Sequence, residues 1–361
     1  NNADVTNYGI FGNAGSTGTD NTIHIGPTNA LGITITSEGT IGMGPGSGGL
    51  SGSIIINNDG LMGAINNAYY NTVLGWEAAD DLTSGDHNTL IGFQSGYKVA
   101  AGAYITSIGS YAGNTIATGG ESTYVGYQAG RYQTGADNVA IGSGAGAGTQ
   151  SASGVANVYI GQDAGRNHRE AANNVAIGKG ALSTSTSASH CIAIGHSALS
   201  LNTRDSNIAI GYLAGRDLSG TADRNLFIGA DAGKLINGVS DNIAIGYGAM
   251  VRATSGQNGN IAIGNNAGRA VTSSNSCSQL VAIGHEVASH ASAALAGHNN
   301  IFVGYNIASG SALTSAFQNT AVGSAALRDL RTGDHNVAMG YQAGQAVQGG
   351  GENVFIGSGA G

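Results

Sequence analysis

The residues able to perform acid–base, nucleophilic or metal chemistry are few and widely spread. Of 361 residues only 9% are charged, and there are nine histidines and two cysteines. No G-x-S-x-G elbow, H-E-x-x-H pair, paired-cysteine motif or calcium-binding nonapeptide occurs, so the familiar placements of a nucleophile, a zinc ion or a calcium ion are missing. His87 and His335 each precede an Asn at a turn position, outside any ligand cluster. The stretch Gly44-Pro45-Gly46-Ser47-Gly48-Gly49 matches G-x-G-x-x-G, but no helix-forming sequence follows it, and among 63 glycines a chance match is expected. We therefore expect no enzyme, no catalytic residue, no cofactor and no metal.

The charges that do occur keep a register. Arg131, Arg166, Arg216, Lys234, Arg269 and Arg328 each stand five residues after a recurring glycine; Asp86, Glu121, Asp137, Asp205, Asp223, Asp241, Asp334 and Glu352 stand five or six before one. In stacked units these become a basic row and an acidic row. The two rows either face each other across a subunit boundary and fix the register of the trimer, or stand as separate solvated rows worth ~0–1 kcal/mol per pair.

The register comes from a phrase best seen in Asn207-Ile208-Ala209-Ile210-Gly211 and repeated seventeen times. Its closing glycine, the pivot, recurs at Gly75, Gly92, Gly109, Gly126, Gly142, Gly161, Gly178, Gly195, Gly211, Gly229, Gly246, Gly264, Gly284, Gly304, Gly323, Gly340 and Gly357, 16 to 20 residues apart and most often 17. Such a period marks a repeat architecture in which each unit leans on its neighbours. One and three residues before the pivot stand aliphatic or Thr residues; between them stands mostly Ala, with Tyr124, Tyr159, Phe227, Phe302 and Phe355 in five units. This period of two predicts a short strand, and we expect its two aliphatics, such as Ile141, Ile210 and Ile263 before the pivot, to face inward.

Small residues surround the strand. Thirteen of seventeen units carry Asn four before the pivot, as at Asn138, Asn207 and Asn260; fourteen carry Ala three after it and ten carry Gly four after it. A glycine fixed at one place in every unit, as Gly142, Gly211 and Gly264 are, suggests a corner that needs positive φ or a backbone approach too close for a Cβ. The Asn should occupy the opposite corner and bond to the Asn of the next unit as a ladder.

The expected fold is all-β: a repetitive parallel β-roll or β-helix of about 17 residues per coil, assembled as a homotrimeric fibre. Residues 1–66 read as a Gly-rich β opening segment and residues 67–361 as a seventeen-coil shaft. The longest connectors, Ser273 to Gln279, Ser289 to His298 and Ser309 to Gln318, should bulge outward. Each coil has only one strongly apolar strand, so other chains are expected to complete its core, and a closed trimer does so while hiding lateral strand edges.

Composition excludes several classes. Glycine without a strict triplet and only 2 prolines exclude collagen; 41% hydrophobic residues, regularly placed, exclude disorder. A net charge of −8 removes the electrostatic footprint of a nucleic-acid binder, and no apolar run is long enough for membrane insertion. Without an initiator Met or leader, the chain reads as a mature or excised piece. Cys191 and Cys277 lie some five coils apart, ~20 Å along the axis, too far for an internal disulfide; they read as small buried or half-buried hydrophobes.

Asn138-Val139-Ala140-Ile141-Gly142 and Asn260-Ile261-Ala262-Ile263-Gly264 resemble the NSVAIG repeats of YadA-like heads in trimeric autotransporter adhesins. With Tyr127-Gln128-Ala129-Gly130 and Tyr341-Gln342-Ala343-Gly344 after the pivot, they look more like repeats of bacteriophage tail fibres. The period is longer than in the YadA-like heads, and Asn stands where they have Ser. The resemblance implies a homotrimeric structural and host-attachment fibre of a virion, with other virion tail proteins and a host surface glycan or protein as partners. Alternatives are a bacterial adhesin head on the outer cell surface and a polysaccharide-degrading tailspike whose carboxylates meet across chains. An ice-binding solenoid ranks below these, because no Thr array is expected on an outward face. Trp76, Phe93, Tyr127, Tyr212, Tyr247, Tyr305 and Tyr341, directly after the pivot, are the candidate surface contacts, for stacking on sugars or on neighbouring coils and chains.

Overall fold

The computed structural model describes residues 23–25, 33–35, 54–56, 67–149, 152–253, 258–271, 278–289, 298–310 and 315–361. The described residues form no helix. Strands Ile23–Ile25 and Ile33–Ile35 pair antiparallel. Every other principal strand belongs to one parallel stack that runs in single file from Ile54–Ile56 to Val354–Ile356. Among the described residues no pairing joins the first strand of this file to the last, so the sheet is an open ladder and each repeat is one turn of a parallel β-solenoid. Pairing keeps the repeat in register: Val175 lies beside Ile192, Ile192 beside Ile208, and Ile208 beside Leu226. Seventeen strands from Thr72–Leu74 onward give sixteen turns. The Gly44–Gly49 stretch, Cys277 and most of the three long connectors lie outside the described residues.

The chain turns at each pivot, where φ lies between +117° and +150°. The pivots also stack on one another. A Cβ on Gly211 would fall 2.5 Å from the carbonyl oxygen of Gly229, so both conformation and space demand glycine.

The strand faces are the reverse of the sequence expectation. The central residue of every phrase but the last is buried, Phe355 being half-buried, and the two flanking residues are half-buried or exposed. Alternation persists, with opposite phase. The reason is the width of the coil interior. The residues three and four after the pivot pack directly beneath the strand, and the gap they leave takes a single side chain, the central one. Ala209, Ala244 and Ala262 fill it in most turns, and Tyr124, Tyr159, Phe227 and Phe302 in others. Val73, Leu90 and Ser107 fill it in the first three turns, so the interior takes one side chain per strand, the central one, and the two flanking residues of each strand point outward.

A second inward file, seven residues after the pivot, was not legible in the repeat phrase. It holds Leu82, Val99, Ile116, Leu218, Ile236 and Leu330, all buried, and includes the short parallel strands Leu235–Ile236, Arg252–Ala253 and Ala270–Val271. With this file in place a single copy encloses its own core. The expectation that neighbouring chains complete it is therefore incorrect.

The asparagine ladder is present, and it is internal. Asn207 Oδ1 accepts the backbone N–H of Asn225 at 3.0 Å, and Asn225 Oδ1 accepts that of Asn242 at 3.1 Å. Each amide nitrogen also donates to a carbonyl of the next coil: Asn207 to Ala222 at 2.8 Å, Asn225 to Val239 at 3.0 Å. One side chain thus satisfies a buried donor and a buried acceptor of the adjacent turn.

Candidate functional site

Because strand phase is inverted, the widest surface feature is the sheet face itself. Over seventeen rungs the residues three and one before the pivot form two parallel files, thirty-four side chains in all, and none of them is buried. Ile141 and Ile210 are exposed and Ile263 is half-exposed, while Asn138, Asn207 and Asn260 are buried. The files begin with Thr72, Thr89, Thr106 and Thr123 on consecutive rungs and continue as Val, Ile and Leu. An outward Thr array therefore does exist over four turns, contrary to the sequence expectation.

The aromatic residues after the pivot are exposed as expected: Trp76, Phe93, Tyr127, Tyr212, Tyr247, Tyr305 and Tyr341. They do not form one ladder. Phe93 meets Tyr111 edge to face at 5.1 Å, and Tyr111 meets Tyr127 at 6.4 Å. Elsewhere a histidine of the previous rung lies beside the ring, His196 by Tyr212 and His285 by Tyr305, each at 5.5 Å. On the other edge of the sheet, five before the pivot, Tyr70, His87 and Tyr104 stack at 4.8 and 4.9 Å. Extending the strand alternation outward by one more step would have found this second group.

The charged rows are mostly answered within the chain. Arg166 pairs with Asp163 at 3.2 Å and Lys234 with Asp231 at 2.9 Å, each three residues apart in one coil. Arg216 and Arg328 pair with the adjoining Asp217 and Asp329. Arg131 lies over the rings of Tyr111 and Tyr132. The acids six before the pivot cap backbone: Asp205 accepts the N–H of Ser189, and Asp334 that of Phe317, both at 2.8 Å. Only Arg224 and Asp241, 2.7 Å apart, join neighbouring rungs as an ion pair among the described residues.

The buried titratable groups sit mid-shaft. Where other turns place Leu or Ile in the second file, Gln133 and His168 intrude, both fully buried. His168 Nδ1 donates to the carbonyl of Gly165 at 2.8 Å, its Nε2 faces the amide of Gln133, and its ring lies 4.8 Å from that of Tyr159. Burial pushes the His168 pKa down to about 4, so the ring is neutral at ordinary pH. Cys191 is free and buried, and burial raises its thiol to about 11, which makes it inert as a nucleophile.

A shallow hollow of about 370 Å³ lies beside Asp163, Arg166, Lys179 and His196. No group of three or more His, Cys, Asp or Glu among the described residues is arranged to hold a metal ion. No helix among them is long and apolar enough to cross a membrane. The chemistry such a surface offers is contact: apolar on the sheet face, aromatic and polar beyond the pivots. No protein-family model, curated protein or solved structure matches the chain.

Proposed function

We infer that the chain is the shaft of a homotrimeric attachment fibre, a structural protein of a virion that reaches and touches a host surface. One observation carries this reading: the continuous double file of aliphatic side chains on the outer sheet face. A monomer rarely exposes so long an apolar strip. Thirty-four partly exposed side chains on a rod roughly 80 Å long present on the order of 1,500–2,000 Å² per copy, above the ~800 Å² per partner of a stable interface. The files repeat at the rung spacing, so the surface that matches them rung for rung is another copy of the same face. Three copies around an axis close the contact and leave no fourth face to aggregate. The ground for the trimer is thus an exposed face, since the core is complete within one chain.

Non-catalytic function is supported by where many of the acids are spent, as backbone caps and local ion pairs. The bacterial adhesin head shares the same face and assembly. The test is sedimentation and negative-stain microscopy of the purified chain. A trimeric rod is expected; a monomer at micromolar concentration would remove the reading.

A second reading has its own observation. The four outward Thr residues beside Leu74, Ile91, Ile108 and Val125 make a flat, regular hydroxyl and methyl array of the kind that orders water. Thermal hysteresis of a dilute solution would support ice binding, and its absence would end that reading.

A further inference from the structure

Four consecutive rungs near the start of the shaft differ from the rest on the side of the coil that follows the pivot. Trp76, Phe93 and Tyr127 stand directly after their pivots, Tyr111 stands two after Gly109 on the rung between Phe93 and Tyr127, and Ser143, Gln162 and Lys179 follow directly after the next three pivots. The rings are not packed face to face. The Phe93–Tyr111 and Tyr111–Tyr127 contacts are edge to face, with interplanar angles of 84° and 79°, and Arg131 covers the Tyr111 ring, while Trp76, Phe93 and Tyr127 are 40–54% exposed.

Polar side chains border the rings. Glu77 accepts hydrogen bonds from the Trp76 indole at 2.9 Å and from the Gln94 amide, which fixes its carboxylate beside the ring plane. Gln128 donates to the Tyr127 hydroxyl at 3.0 Å. These residues lie beyond the glycine corner from the aliphatic files, so a trimer built on the sheet face leaves them open.

We propose that Trp76, Phe93 and Tyr127, braced by Tyr111 and with Glu77 and Gln94 along their rim, form a ledge that binds a neutral oligosaccharide chain lying along the rod. Flat rings take the C–H faces of pyranose units, and carboxylate and amide groups take their hydroxyls. The rungs recur every ~4.8 Å, close to the advance of an extended glycan per sugar. An apolar protein segment would find no aliphatic pocket here, because the aliphatic files lie on another face. Charge selects against acidic glycans: Asp80, Asp81 and Glu77 surround Tyr97 and raise its hydroxyl, Arg131 is occupied over Tyr111, and the chain carries −8 overall. The ledge deepens the attachment reading and rests on it.

Trp76 is the sole tryptophan, so its emission reports ledge occupancy directly. The experiment screens the full chain on a printed array of neutral, sialylated and uronate-bearing oligosaccharides, then titrates the best neutral binder against Trp76 fluorescence. Neutral glycans should be retained and should shift the emission. Trp76→Phe combined with Phe93→Ala and Tyr127→Ala should weaken retention roughly tenfold or more, while Tyr70→Ala with Tyr104→Ala, exposed on the other edge of the sheet, should leave it unchanged. Retention of acidic glycans alone, retention undiminished in the ledge variant, or no neutral glycan retained would each overturn the ledge. Sedimentation of the same samples separates the two claims: a trimer that binds no neutral glycan sinks the ledge and spares the fibre, whereas a monomer sinks the fibre.

Discussion

Gly130 stands against the ring of Tyr124, so closely that a Cβ built on the glycine would fall 2.0 Å from the ring carbon Cδ1. The same relation holds for Gly165 under Tyr159 and Gly233 under Phe227. In turns where the central strand residue is Ala, the position four after the pivot often carries a large side chain instead: Leu182 with Ala176, Leu199 with Ala193, Met250 with Ala244, Leu327 with Ala321, all buried. In these coils one volume is filled from either of two places, and where both are small, as at Ala209 and Gly215, Leu199 and Phe227 of the neighbouring coils reach in. Gly130 has φ +58°, and Leu182 adopts φ +52° at the equivalent position, so the backbone itself tolerates either solution.

From this follows a swap. Gly130→Leu alone should destabilise the fold by about 2–4 kcal/mol through overpacking. Combined with Tyr124→Ala, it reproduces the arrangement of Ala176 and Leu182 and should recover most of that loss. Thermal melting of the two variants checks it; a double variant no better than the single would contradict the shared-volume account.

The ladder predicts a buried-donor penalty. Asn242→Ala removes the Oδ1 that accepts both the backbone and side-chain N–H of Asn260, each at 3.0 Å. Leaving a buried donor unmet costs about 1–3 kcal/mol. Urea denaturation should show that loss, and hydrogen exchange at the amide of residue 260 should accelerate selectively.

Strand phase predicts opposite outcomes for neighbouring residues. Ile177→Glu with Ile210→Glu places charge on the outer files and should yield folded monomers. Ala209→Leu, one residue away from Ile210 but fully buried, should unfold the turn without first dissociating copies. Circular dichroism and sedimentation distinguish the two; unfolding by the outer pair would mean that the files face inward after all.

His168 predicts an acid limb to stability. Its folded pKa, about 4, lies below the ordinary 6.5, so the unfolded chain takes up the proton first. Stability from this group is complete above about pH 6.5 and declines as pH falls toward 4. The slope is at most ~1.4 kcal/mol per pH unit. His168→Leu, matching Leu82 and Leu218 in the same file, should flatten that limb in denaturation curves taken between pH 7 and pH 4.

Much of this architecture is written locally. The period of the pivots, the parallel register of the phrase, the glycine corner and the asparagine ladder depend on residues that meet their own equivalents one turn away, so a repeat read by itself already contains both partners of each contact. Alternation along Ile208, Ala209 and Ile210 likewise separates two faces. It does not say which face is inside, because hydrophobicity alone favours the larger side chains. That choice was settled by the closed coil, whose interior, narrowed by residues three, four and seven places past the pivot, has room for the central side chain of each strand and turns the two flanking ones outward. The same closure decided that Asp205 caps a backbone amide of the neighbouring turn and that His168 enters the core, since both depend on distances between segments that exist only once the turns are stacked.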